Sequence, residues 1–70
     1  MEQAIASMHL SKREQQVVEL LSQGFTVKEA SAQLFISYNT ADTHRKRAIE
    51  KLGARNLPHA VRLAIQLGLC

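Results

Sequence analysis

The chain has 70 residues, with one proline, three glycines, one cysteine and an apolar share of 46%, of which only two Phe and one Tyr are aromatic. This length allows one domain near the lower limit for an unaided core, and the composition excludes low-complexity disorder, a disulfide framework and a membrane span of ~20 apolar residues. The net charge of +3 is uneven: residues 43–62 carry +5 and the remainder −2, which is the footprint of a polyanion-binding face, although for charge taken alone a solvated helix face is the better reading.

Met1–His9 lacks a helix cap, a basic start and a long apolar run, so it reads as a flexible segment or linker and not as a signal peptide. The folded domain is expected over residues 10–70. Ser11-Lys12-Arg13-Glu14 and Thr26-Val27-Lys28-Glu29 both fit the capping box, in which a hydroxyl and a carboxylate satisfy free amides at a helix start. Ser37 and Asn56 are further N-cap candidates, and Pro58 stands where a first turn tolerates a missing N–H. Gly24, Gly53 and Gly68 each follow an apolar or helical stretch, as left-handed helix ends require.

These signals predict helices over residues 11–23, 26–34, 37–52 and 57–67, and no strand. Val17, Val18, Leu20 and Leu21 supply the apolar side of the first, and Val27, Ala30 and Leu34 that of the second. Ala41, Ala48, Ile49 and Leu52 serve the third, and Leu57, Ala60, Val61, Ala64, Ile65 and Leu67 the fourth. Between helices two and three lies only Phe35-Ile36, after the small residues Ala30, Ser31 and Ala32. Small side chains allow a close crossing and a short link forces a steep one, which is helix-turn-helix geometry. Phe35 and Ile36 are expected to fill the space beneath the turn.

The third helix is polar through its middle, Thr43-His44-Arg45-Lys46-Arg47. At about 100° per residue, Ala41, Ala48 and Leu52 fall within about 20° of one direction, while Asn39, Asp42, Thr43, Lys46, Arg47 and Glu50 share the opposite face. Those side chains donate to or accept from base edges and gather toward the helix N-terminus, as in a recognition helix lying in the major groove. The free amides and dipole of the helix start, at Ser37 and Tyr38, suit a phosphate.

Six motifs follow in order along the chain: Leu10-Ser11-x-Arg13-Glu14, Val18-x-Leu20-Leu21, Gly24-x-Thr26-x-Lys28-Glu29, Leu34-Phe35-Ile36-Ser37, Thr40-x-x-x-His44 and Lys51-Leu52-Gly53-Ala54-Arg55-Asn56. Together they resemble the LuxR-type (GerE-like) DNA-binding domain, from Leu10 to about Leu69. The resemblance implies an all-α, four-helix helix-turn-helix domain of bacterial transcription regulators, quorum-sensing and response-regulator proteins among them. It implies a regulator that binds double-stranded DNA as a homodimer through helix four, with a possible N-terminal sensor or receiver domain. It carries base reading onto Asp42, Thr43 and Lys46, joined by Asn39 from the helical wheel. Backbone contact falls to Thr26, Lys28, Thr40 and Arg47, with Ser37, Tyr38 and Lys51 beside them. Leu63 and Leu67, one turn apart on helix four, are the candidate dimer seam; packing in the core is their other reading.

Departures from the family pattern bear on both stability and specificity. Ala41 stands where Val or Ile is common, and Ala30-Ser31 replaces an Ile-Ala pair, so the core loses methyl groups at about 1 kcal/mol each. Asp42 occupies a position that is often basic. It is read here as a specificity residue accepting from cytosine N4, with an ion pair to Lys46 four residues on as the alternative. Arg45 falls about 40° from the buried direction, where a lone charge is costly, so its guanidinium is expected to reach Glu14 or Glu19 on helix one, with a phosphate contact as the alternative.

His9, His44 and His59 have no metal-site spacing, and neither a nucleophile constellation nor a glycine-rich phosphate loop is visible. No enzyme activity, metal or cofactor is expected. Cys70 reads as a reduced thiol in a cytoplasmic protein. The rival function is a small helical protein-interaction module whose basic face docks an acidic partner.

Overall fold

The computed structural model describes residues 10–68. It contains four helices, α1 (Lys12–Ser22), α2 (Val27–Leu34), α3 (Tyr38–Lys51) and α4 (Leu57–Gln66), and no strand among the described residues. The expectations for Met1–His9 and Cys70 lie outside that range.

Every helix starts on the side chain that the sequence singled out. Ser11 Oγ accepts from the Glu14 amide at 3.1 Å while Glu14 Oε1 accepts from the Ser11 amide at 3.0 Å. Thr26 and Glu29 repeat the exchange at 3.1 and 2.8 Å. Ser37 Oγ accepts from the Thr40 amide at 3.1 Å, and Asn56 Oδ1 from the His59 amide at 2.9 Å. Each cap satisfies an amide that the helix itself leaves unpaired. The expected ranges overran several ends by a residue because they counted these caps as helix.

Three helix ends close in the same way, with a 5→2 and a 6→1 backbone hydrogen bond around one left-handed residue. After α1 they are Gly24 N–H to Leu21 O and Phe25 N–H to Leu20 O, both 3.1 Å; after α3 they are Gly53 N–H to Glu50 O and Ala54 N–H to Ile49 O, both 3.0 Å. After α2 they are Phe35 N–H to Ala32 O at 3.3 Å and Ile36 N–H to Ser31 O at 3.0 Å. Two of these closures use glycine; the third places Phe35 at φ 58°. Phe35 therefore departs from its expected place. The left-handed backbone turns its side chain outward and leaves it 95% exposed, so only the half-buried Ile36 is left to fill in beneath the turn.

The core is built from small residues. Ala30, Ala41, Ala48, Ala60 and Ala64 are all fully buried, and Val17 and Val18 are the largest side chains at that depth. Alanines at the crossings let helix axes approach closely, at the cost of little apolar area per residue. Ser31, also buried, returns its hydroxyl to Lys28 O at 2.6 Å, which removes the penalty for its polar atom. α3 packs against both α1 and α2, while α4 closes on α1 and α3. Leu10, Val18, Ala48 and Ala64 form the joint, with Leu52 and Leu67 against it.

One ion pair ties two helices together. Glu14, 2% exposed at the start of α1, accepts from Lys51 Nζ at 2.8 Å in the last turn of α3. Burial pushes the Glu14 carboxyl upward, but the Lys51 and Ser11 hydrogen bonds, with the charges of Lys51 and His44, outweigh it and hold the group below the usual glutamate value.

Candidate nucleic-acid interface

α3 presents one face inward and one outward, as its spacing requires. Ala41 and Ala48 are buried and Leu52 half-buried, whereas Asn39, Thr43, Lys46, Arg47 and Glu50 are exposed. The flank that carries the base-reading candidates is therefore not covered by the other described residues. Asp42 is half-buried at its margin.

Hydrogen bonds decide what these side chains offer. Thr43 Oγ1 donates to Asn39 O at 2.9 Å, so its hydroxyl proton is spent on the backbone and its methyl is the group left for a thymine methyl. Ser37 Oγ donates to Thr40 Oγ1 at 2.9 Å, which ties two of the backbone-contact candidates together at the helix start. Tyr38, 54% exposed, opens the helix beside them. Thr26 is engaged as the cap of α2, and Lys28 lies exposed in the first turn of the same helix. Both helix starts thus bring free amide ends together with hydroxyls and, on α2, a cation.

Asp42 is bound on both oxygens. Its Oδ1 accepts from Arg45 Nε at 2.9 Å and from Arg45 Nη2 at 2.7 Å, and its Oδ2 faces Lys46 Nζ at 3.1 Å. The Arg45 hydrogen bonds, then the Lys46 one, hold the Asp42 carboxyl below its ordinary value. The expected Arg45 bridge to Glu14 or Glu19 is not formed. Glu14 is taken by Lys51, and Asp42 sits one turn away from Arg45 on the same helix, so the local partner wins. Lys51, expected on the phosphate side, thereby has an internal partner, although its side chain is 37% exposed. His44 borders the core with its Nδ1 buried and without a hydrogen bond.

On α4, Leu67 leans on the core cluster and Leu63 is half-buried. The large apolar side chain exposed on this helix is Ile65, at 56%, with half-buried Val61 one turn before it. Sequence reasoning assigned Ile65 to the core; the signal that separates it is its offset of about 100° from Ala64. At the start of α4 an open dish of about 450 Å³ is lined by Arg55, Asn56, Pro58, His59 and Arg62. No group of His, Cys, Asp and Glu among the described residues has the arrangement of a metal site, and none of their helices is long and apolar enough to cross a membrane.

A short helix, a tight turn and a second helix with an uncovered polar flank define a helix-turn-helix domain. The family described as bacterial regulatory proteins, luxR family, matches residues 8–64. The chain belongs to this family: it is a DNA-binding domain of the transcription-regulator class and not an enzyme. It is 42% identical over 59 residues to the spore germination protein GerE of Bacillus subtilis, covering 84% of this chain and 80% of that protein. The transcriptional regulatory protein UhpA of Salmonella typhimurium is 51% identical over 47 residues, 67% of this chain. The oxygen regulatory protein NreC of Staphylococcus aureus is 35% identical over 57 residues, 81% of this chain. The chain spans only 24% and 26% of the length of UhpA and NreC. The solved structure of the transcription factor GerE superposes with a TM-score of 0.81 at 33% identity, covering 86% of this chain and 90% of that one.

Proposed function

We propose that this domain binds duplex DNA in a sequence-specific manner, with the N-terminal half of α3 in the major groove, as the effector part of a transcription regulator. The observation that carries the reading is the division of α3: alanines fully buried on one side, Asn39, Thr43, Lys46 and Arg47 exposed on the other. Lys46 donates to guanine O6 or N7, Thr43 offers its methyl, and Asn39 suits adenine. Thr26, Lys28, Ser37, Tyr38, Thr40 and Arg47 flank the groove and take the phosphates, with Lys51 at the far end of the helix.

One such helix binds weakly, in the ~10⁻⁴–10⁻⁶ M range of non-specific association. Useful selectivity needs two copies on half-sites about one helical turn apart. α4 supplies the seam in this reading, with the outward Ile65 joining Leu63 and Leu67. The relatives UhpA and NreC, both named as regulatory proteins, and GerE, a spore germination protein, support the regulator reading. The short share of UhpA and NreC that this chain covers fits a domain joined to a sensor or receiver in a longer regulator.

Selection from a random duplex library, followed by titration of the selected duplex at two salt concentrations, tests the proposal. Enrichment of one motif and binding that weakens steeply with salt are expected. Failure to enrich any duplex, with retained binding to an acidic protein, points instead to an interaction module.

A further inference from the structure

The Asp42 cluster carries a step beyond the assignment of readers, and it rests on the DNA-binding reading above. A carboxylate has about four acceptor sites. Three of those on Asp42 are in use, two by the fork of Arg45 and one by Lys46. The carboxylate is also half-buried, at 22% exposure, while the Lys46 side chain beside it is 68% exposed. The group that protrudes into the groove is thus the lysine, and the acid stands behind it.

The ammonium of a free lysine sweeps a wide volume on a four-carbon stem and finds any phosphate within reach. Held at 3.1 Å from Asp42 Oδ2, the Lys46 ammonium is confined to one side of the helix. The Arg45 guanidinium is held likewise, by two donors on one oxygen. A carboxylate at this spot also repels phosphate, so it lowers affinity for every duplex alike, whereas a placed donor raises affinity only where the facing base is an acceptor. We propose that Asp42 does not read a base but acts as a positioning residue: from the margin of the recognition face, with Arg45 bound behind it, it holds Lys46 in place, trading general affinity for selectivity. Specificity at this part of the site then belongs to Lys46 and depends on Asp42 through it.

The test uses the 70-residue chain, its selected duplex and a scrambled duplex of equal length, followed by fluorescence anisotropy over a salt series. The variants are Asp42→Asn, Asp42→Ala, Lys46→Ala and the double change of Asp42→Ala with Lys46→Ala. Asp42→Asn keeps the shape without the charge and covers the case in which the alanine variant fails to fold. Loss of Asp42 is expected to tighten binding to the scrambled duplex and to cut the selected-to-scrambled ratio by about tenfold. It should steepen the slope of log K against log salt by about 0.9 for each cation released onto a phosphate. The base preference lost should fall at the same base pair that Lys46→Ala relaxes, and the double variant should be no less selective than Lys46→Ala alone. If Asp42→Asn relaxes a base pair that Lys46→Ala leaves intact, the acid reads a base itself and the proposal is overturned. Unchanged slope and selectivity in a folded Asp42→Asn variant overturn it as well, leaving the cluster a structural feature. Wild-type chain that selects no duplex at all refutes the DNA-binding reading instead.

Discussion

Replacing Glu14 by glutamine isolates the ion pair between α1 and α3. The amide side chain of the Glu14→Gln variant keeps an oxygen to accept from the Ser11 amide, so the capping box survives and only the charge opposite Lys51 is lost. A hydrogen bond to a charged partner contributes about 1.5–3 kcal/mol, and water recovers part of it because the Lys51 side chain is 37% exposed. The expected cost is therefore about 1–2 kcal/mol, out of the roughly 4–10 kcal/mol that a domain of this length commands. That corresponds to a fall in Tm of roughly 4–16 °C by thermal circular dichroism. The pH dependence sharpens the test. The Glu14 carboxyl titrates below its unfolded value, so the folded state gains stability from it above about pH 4.3 and loses that gain as pH falls through the lower folded value. The gap between wild type and Glu14→Gln should close as pH falls below about 4, since the protonated wild-type side chain then resembles glutamine. A gap that stays constant between neutral pH and about pH 3, or a double-mutant cycle with Lys51→Met showing no coupling, would refute the reasoning.

Phe35→Gly should stabilise the domain by about 1 kcal/mol in urea denaturation, because the left-handed C-terminal position strains a side chain that, at 95% exposure, gains nothing from burial; equal or lower stability would count against it. Lys46→Ala should relax the selected motif at one position and leave the salt slope of duplex binding nearly unchanged, as read by repeat selection and anisotropy, since the lysine faces a base and not a phosphate. Ile65→Glu should leave the isolated domain folded but shift its complex with a two-half-site duplex from two copies to one in analytical ultracentrifugation; an unchanged stoichiometry removes α4 as the seam.

Much of this domain is legible in the sequence because its strongest signals are local. A capping box needs only a hydroxyl and a carboxylate three residues apart, so Ser11 with Glu14 and Thr26 with Glu29 announced two helix starts. The glycines after α1 and α3 announced their ends, and alanine spacing alone identified the buried side of α3. The exposed face followed by subtraction, which is why the reader candidates were available from a helical wheel.

What the sequence left open was decided by geometry between or around helices. Glu14 and Lys51 stand 37 residues apart and meet only because α1 and α3 cross, and that meeting left Arg45 to the nearer Asp42. Phe35 has the same apolar character as its neighbour Ile36, but the backbone turn and not hydrophobicity sets which of the two faces water. Leu67 and Ile65 differ little in composition terms; the angle at which α4 meets α1 and α3 puts one against the core and the other in solvent. Short-range hydrogen bonding and periodicity are written in the order of residues, whereas a choice among competing partners belongs to the packed helices, since only they bring distant groups within reach.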